Sequence, residues 1–261
     1  MSNNMKALLS AGKPVYGAQL RYGSPAIAEL FGHSGFDWIV IDTEHAPQTP
    51  VGIQAQLQAL GHTATVPIVR LPRVHEQSIL LYLDMGAKGI LAAFVNTKEQ
   101  AALGARACRY PPDGTRGWGP HRAARFGLKK NDDLAELNEE TLFIPMIESA
   151  EAVRNLEAIL SVEGVDTFVL GPVDLSISLG VPFEFESSVY QDAEREALTI
   201  AKRLGKPAGT GVYRDPEKTE SLRGFINDGF QTLLFSGDEH LLATGCQALN
   251  RAMDELRRQY E

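Results

Sequence analysis

A single (β/α)8 barrel is the fold class this sequence predicts, and three observations predict it. Short apolar segments recur along the chain and alternate with longer amphipathic ones. Eight such segments can be counted, and strict strand–helix alternation makes them parallel, because each crossover returns the chain to the same end of the sheet. All eight fit within 261 residues with no linker or low-complexity stretch between them, which suits a closed barrel better than an open doubly wound sheet.

Val15–Leu20 reads as the first strand. Ser24 and Pro25 then open a helix to about His33, since serine caps free N–H groups and proline suits a first helical turn. Gly35 breaks it. Asp37–Ile41 is rich in β-branched and aromatic residues and reads as a buried parallel strand. Val66–Arg70 and Gly89–Phe94 repeat the pattern, each after a helical stretch. Arg109 to Gly127, rich in Pro and Gly, is too long for a simple connection and predicts a functional loop. Leu142–Ile147, Val165–Leu170, Pro207–Val212 and Thr232–Phe235 supply the remaining strands, and a strongly amphipathic helix follows from about His240 to Arg258.

Composition narrows the function. With 44% hydrophobic residues the chain can bury a large core, and 22% charged residues suit a solvated surface. The balance of 25 Lys+Arg against 33 Asp+Glu, a net charge of −8, argues against a nucleic-acid partner, because phosphate contacts need clustered cations. No apolar run approaches the roughly 20 residues that span a bilayer. Met1 to Lys13 lacks the unbroken apolar stretch of a signal peptide. Cys108 and Cys246 are too few and too far apart for a disulfide framework or a zinc–thiolate site. The expectation is one cytoplasmic domain over residues 1–261, with neither nucleic acid nor membrane as partner.

A parallel barrel gathers its chemistry at the C-terminal ends of its strands, so the residues after each strand matter most. Asp42, Thr43, Glu44 and His45 follow the second, Arg70 ends the third, Glu148 follows the fifth, and Gly171-Pro172-Val173-Asp174 follow the sixth. Read singly, Glu148 suits the start of a helix, Asp174 an N-cap, His45 a structural hydrogen bond and Arg70 an ion pair. Together at one rim they outweigh those readings, because burying several charges without a ligand or metal is costly. Glu148 and Asp174 offer hard oxygen ligands without thiolate, which suits Mg²⁺ or Mn²⁺. A 2-oxo acid fits such a site through its keto and carboxylate oxygens, with Arg70 and the cation opposing negative charge on oxygen. His45, oriented by Asp42, is the candidate general base, and the backbone around Val173 and Asp174 suits the substrate carboxylate.

At these residues the sequence resembles the HpcH/HpaI aldolase family, the metal-dependent 4-hydroxy-2-oxoheptanedioate aldolases and their relatives. The resemblance rests on Asp37–Asp42 leading to Glu44-His45-Ala46-Pro47, on Arg70, and on Leu83-Asp84-Met85-Gly86-Ala87. It rests also on Arg109–Gly117, Ile147-Glu148-Ser149 and Gly171–Gly180, in that order over nearly the whole chain. It implies a pyruvate-type barrel and a divalent cation (Mg²⁺, Mn²⁺ or Co²⁺) on Glu148 and Asp174. It implies further an Asp42–His45 dyad and Arg70 on the keto or enolate oxygen. The implied assembly is a hexamer built as a dimer of trimers, with the C-terminal helix packed on a neighbour and with Asp84 and the Tyr110–Gly117 loop at the interface.

The chain departs from the family pattern at several positions. Met146 stands where Gln is common, Ala92-Ala93-Phe94 replaces Val-Pro-Met, and Gln19 followed by Arg21 replaces a frequent Trp; Val173 stands where a small residue is usual. Gln19, Arg21, Phe94, Trp118 and Met146 are therefore the expected acceptor-pocket residues. The implied reaction is cleavage of a 4-hydroxy-2-oxo acid to pyruvate (or hydroxypyruvate) and an aldehyde, with the reverse addition. No lysine suited to a Schiff base ends a strand, since Lys88 begins one. The alternatives are an acyl-CoA lyase or a decarboxylating or condensing 2-oxo-acid enzyme on the same barrel, and a non-catalytic 2-oxo-acid sensor.

Overall fold

The computed structural model describes residues 4–128, 134–213 and 218–260. The strands are β1 (Val15–Leu20), β2 (Trp38–Asp42), β3 (Val66–Leu71), β4 (Gly89–Ala92), β5 (Leu142–Ile147), β6 (Phe168–Leu170), β7 (Ala208–Gly211) and β8 (Phe230–Phe235). They pair in chain order, all parallel, and β8 bonds back to β1 to close the barrel.

Period-two alternation explains how the strands deliver side chains to the rim. Trp38 and Val40 of β2, Val66 and Ile68 of β3, and Leu142, Ile144 and Met146 of β5 belong to one buried cluster that fills the barrel interior. Their neighbours Ile39, Ile41, Val69, Leu71, Phe143 and Ile147 belong to a second cluster, between strands and helices. Continuing the inward parity by two residues reaches Asp42, Arg70 and Glu148, all buried. Each buried Leu, Ile or Val contributes roughly 1.5–3 kcal/mol. The apolar layers therefore stabilise the barrel, and the charged layer above them is carried by it.

The opposite end is plugged. Helix Asn4–Ser10 places Met5 and Leu9 against Val15, Trp38 and Val40, which gives the N-terminal segment a packing role not anticipated from its polar–apolar alternation. Trp38 lies where a Cβ on Gly17 would stand, 2.3 Å from its Cε2, so β1 must carry glycine there.

Several boundaries shift from expectation. β4 stops at Ala92: Ala93 still donates to Leu71 O, and Phe94 then turns into the left-handed region at φ 51°. β6 shortens to three residues, because Val165 N–H closes a turn onto Val162 O. β7 is likewise trimmed to four residues, and β8 begins two residues early, where Phe230 pairs with Ala208 across a register shift.

The Pro- and Gly-rich segment from Arg109 is ordered against the helix Glu76–Asp84. Arg116 pairs with Asp84 at 2.8 Å and stacks over Tyr110, while Asn138 holds both the N–H and the carbonyl of Tyr110. The final helix, Asp238–Arg257, buries only Asp238 and exposes Leu241, Leu242, Leu249, Met253 and Leu256. No described helix is long and apolar enough to cross a membrane.

Candidate active site

Asp42 and Arg70 are register partners at the ends of β2 and β3. Arg70 donates from Nε to Asp42 Oδ1 at 2.9 Å and from Nη2 to Oδ2, a two-pronged pairing. Arg21 Nε reaches Oδ2 from the other side at 3.1 Å, and the backbone N–H groups of Glu44 and His45 donate to Oδ1 at 2.9 and 3.3 Å. Burial opposes ionisation of Asp42, but the hydrogen bonds and charge of Arg70, helped by those two N–H groups, outweigh it and bring the pKa to about 2.

Within the described residues Asp42 meets His45 through the His45 backbone N–H. The Asp42 oxygens are taken by two guanidiniums and two backbone donors, which bind a carboxylate more strongly than a neutral imidazole does. Asp42 thus positions His45 through its main chain. The His45 ring is half-exposed, with Nε2 3.7 Å from Glu44 Oε2, and the same oxygen lies 3.2 Å from Arg70 Nη1. Glu44, given no role from sequence, is the carboxylate that links Arg70 to the candidate base. Its position immediately before His45 in the turn after β2 is the signal that could have found it.

Glu148 is 2% exposed and accepts the Phe94 N–H at 2.7 Å. Burial raises its pKa to about 7; the Phe94 N–H and Arg70 oppose the rise, and the charges of Glu44 and Asp174 add to it. Glu44 is raised also, by burial first, with Asp42 and Asp174 contributing. A Cβ on Gly171 would stand 2.7 Å from Glu148 Oε2, so only glycine there leaves that carboxylate its place. Like-charged, oxygen-only groups converging in a buried site are what a hard divalent cation would relieve, and the residues fit one. Among the described residues no three His, Cys, Asp or Glu side chains gather closely enough to enclose an ion.

The other expected residues are placed unevenly. Met146 lies in the barrel interior with Sδ 4.0 Å from Arg70 Nη1. Gln19 Oε1 accepts from Arg21 Nη2, and Arg21 also pairs with Glu239, so both sit beside Asp42. Buried Asp238 accepts the N–H groups of Arg21 and Tyr22 and locks that turn in place. Gly171 caps the short helix Pro172–Ser178, on which Val173 is exposed and Asp174 half-buried. Trp118 does not join this constellation within the chain. Its loop runs along the helix Glu76–Asp84 toward the strand-start end, held by Arg116 to Asp84 and by Ala123 N–H to Asp84 O, and the indole is 56% exposed.

Comparison with known proteins agrees with this geometry. The family model HpcH/HpaI aldolase/citrate lyase matches residues 20–243. The chain is 38% identical to a 4-hydroxy-2-oxovalerate aldolase of Rhodococcus jostii over 252 residues, covering 95% of this chain and 94% of that protein. It is 42% identical over 211 residues to a hydroxypyruvate/pyruvate aldolase of Deinococcus radiodurans, covering 80% and 76%. Among solved structures, an HpcH/HpaI aldolase/citrate lyase family protein from Burkholderia cenocepacia superposes with a TM-score of 0.88 at 32% identity, covering 98% of this chain and 100% of that one. With a closed eight-stranded barrel, a carboxylate–arginine rim and matches along nearly its whole length, the chain belongs to the HpcH/HpaI aldolase/citrate lyase family.

Proposed function

We propose that this carbon–carbon lyase cleaves 4-hydroxy-2-oxo acids to pyruvate (or hydroxypyruvate) and an aldehyde, and runs the reverse addition. Relatives named as aldolases at 38% and 42% identity favour this reading over a thioester lyase or a decarboxylating or condensing enzyme. The observation that carries it is the buried Glu148, with the charges of Asp174 and Arg70 beside it at the strand-end rim.

A divalent cation (Mg²⁺, Mn²⁺ or Co²⁺) on Glu148 and Asp174 would supply positive charge to the 2-oxo and carboxylate oxygens of the substrate. Arg70 keeps N–H groups beyond those taken by Asp42, and these donate to the 2-oxo oxygen as it becomes an enolate. The backbone at Gly171, Val173 and Asp174 receives the substrate carboxylate. His45, exposed at the rim, takes the 4-hydroxyl proton directly or through water. The C3–C4 bond breaks, C4 leaves as the aldehyde carbonyl, and the electron pair passes onto the C2 oxygen. Protonation at C3 then yields the 2-oxo acid. Asp42 keeps Arg70 charged and oriented, and Gln19 and Arg21 line the approach.

The same reading takes residues 1–261 as one cytoplasmic domain that assembles with copies of itself, a hexamer of two trimers, in which Trp118 serves a neighbouring pocket. The exposed apolar face of helix Asp238–Arg257 supports the assembly, and exposed, unpaired Cys246 suits a reducing compartment. The test follows pyruvate release from a panel of 4-hydroxy-2-oxo acids, using chelated protein with and without Mg²⁺, Mn²⁺ or Co²⁺. Metal-restored cleavage that falls at least 100-fold (~3 kcal/mol) in Glu148→Ala and Asp174→Ala is the expected result. No cleavage with any metal overturns it.

A further inference from the structure

Arg21 follows the last residue of β1, on the rim beside Asp42. Its side chain reaches three acceptors. Nε donates to Asp42 Oδ2 at 3.1 Å, Nη1 to Glu239 Oε2 at 3.2 Å and Nη2 to Gln19 Oε1 at 3.1 Å. Its own N–H donates to Asp238 Oδ1 at 3.0 Å, so main chain and side chain are both fixed. Gly237, next to that aspartate, has no room for a Cβ against the carbonyl oxygen of Gln19, so the turn after β8 packs hard onto the end of β1. The guanidinium is thereby held against Asp42 from two neighbouring strand ends.

Hydrogen bonding alone does not call for this second guanidinium. Asp42 Oδ1 already accepts from Arg70 Nε and from the Glu44 and His45 N–H groups, and Oδ2 accepts from Arg70 Nη2. A surface pair with Glu239, itself 41% exposed, is worth little and would not turn Nε toward a fully buried carboxylate. Charge does call for it. Arg70 stands between Asp42 and Glu44, and all three side chains are less than a tenth exposed, so negative charge exceeds positive there. Negative charge developing beside Arg70 would meet a guanidinium already neutralised. Arg21 restores the balance, while its other carboxylate partner, Glu239, faces water that screens it.

We propose that Arg21 is a positioning residue that acts through Asp42: by sharing that carboxylate, it leaves Arg70 both oriented and positively charged toward the enolate oxygen. The proposal rests on the aldolase reading for the presence of that oxygen beside Arg70. The Arg21 side chain is taken up by its three acceptors and works through Arg70, not on the substrate. It therefore favours species with negative charge on the 2-oxo oxygen over the neutral ketone.

The test compares two binding probes and needs no turnover. Oxalate, a planar dianion, stands in for the enolate, and pyruvate for the ketone. Both are titrated by calorimetry into Mg²⁺-loaded wild-type protein and into Arg21→Gln, Arg21→Met and Arg21→Lys. The methionine variant keeps the apolar stem, should Arg21→Gln not fold. Both neutral variants are expected to lose about tenfold in oxalate affinity, the scale of one charge-assisted interaction, while pyruvate stays within about threefold. Arg21→Lys, which keeps the charge but not the fork, retains most of the oxalate preference. Cleavage should follow the same division, with kcat falling about tenfold and KM staying within about threefold. Equal losses for oxalate and pyruvate, or an Arg21→Lys variant as weak as Arg21→Gln, would reduce Arg21 to a structural part and overturn the proposal. An oxalate preference that depends on Arg21, in a protein that cleaves no 4-hydroxy-2-oxo acid, would support Arg21 and count against the reaction.

Discussion

Glu148 is buried beside other carboxylates and titrates at about 7 instead of the ordinary 4.5. Below about 4.5 the group is neutral in folded and unfolded chains alike. Between 4.5 and 7 the unfolded chain ionises and the folded one does not, so the metal-free protein loses about 3 kcal/mol of stability across that window. A cation at Glu148 needs the carboxylate, so proton and metal compete for it. Affinity for Mg²⁺ or Mn²⁺ is expected to rise about tenfold per pH unit up to about 7 and then level off, as followed by calorimetric titration. A flat affinity from pH 5 to 7 would take the ion away from Glu148. Asp42 behaves oppositely: its pKa of about 2 lies below the ordinary 3.8, so its contribution persists above that value and is lost as pH falls through 2. Their places at the C-terminal ends of strands made Asp42, Arg70 and Glu148 legible in the sequence, because a parallel barrel gathers its polar groups there. The competition of Arg21 and Arg70 for Asp42, which leaves the His45 ring beside Glu44, depends on distances between strands that no spacing encodes.

At the scale of the element, the turn after β4 is the most constrained piece of the rim. An apolar run through Phe94 predicts a strand, yet the ladder ends at Ala92 because Phe94 must aim its N–H at Glu148. A left-handed backbone costs a non-glycine residue roughly 1–2 kcal/mol, and more for β-branched side chains. Phe94→Val should therefore lower thermal stability and weaken metal binding together. Phe94→Asn, whose short polar side chain tolerates that conformation, should keep metal affinity while losing the ring that lies 4.6 Å from the Arg73 guanidinium. Melting curves and metal titrations on the pair separate backbone from side chain, and equal metal affinity in both variants would show that the Phe94 N–H does not hold Glu148. Helix starts were easier to read: Ser24 caps Pro25–His33 through its side chain, as the Ser-Pro pair foretold, since such a cap needs no partner from elsewhere in the chain.

At the scale of the whole molecule, two exposed surfaces stand out among the described residues. One is the apolar stripe of helix Asp238–Arg257, and the other is the loop carrying Trp118 beside Asp84. Exposed apolar stripes of this kind mark interaction surfaces. With the assembly proposed above, Leu249→Glu combined with Met253→Glu should yield smaller species by sedimentation velocity, while the far-ultraviolet circular dichroism of the barrel is retained. A wild-type protein that sediments as a monomer would remove the hexamer, and Trp118 with it, from the description.

Barrel, strand order and the identity of the rim residues were determined by the sequence alone, because alternation, periodicity and turn chemistry act over a few residues and sum along the chain. Only the tertiary structure decided which rim groups meet: Arg21 and Arg70 on Asp42, Glu44 between Arg70 and His45, Phe94 under Arg73, and Trp118 away from its own barrel mouth. Those pairings join residues on different strands, where burial and competing charges set the winner, and neither is a property of any local stretch of sequence.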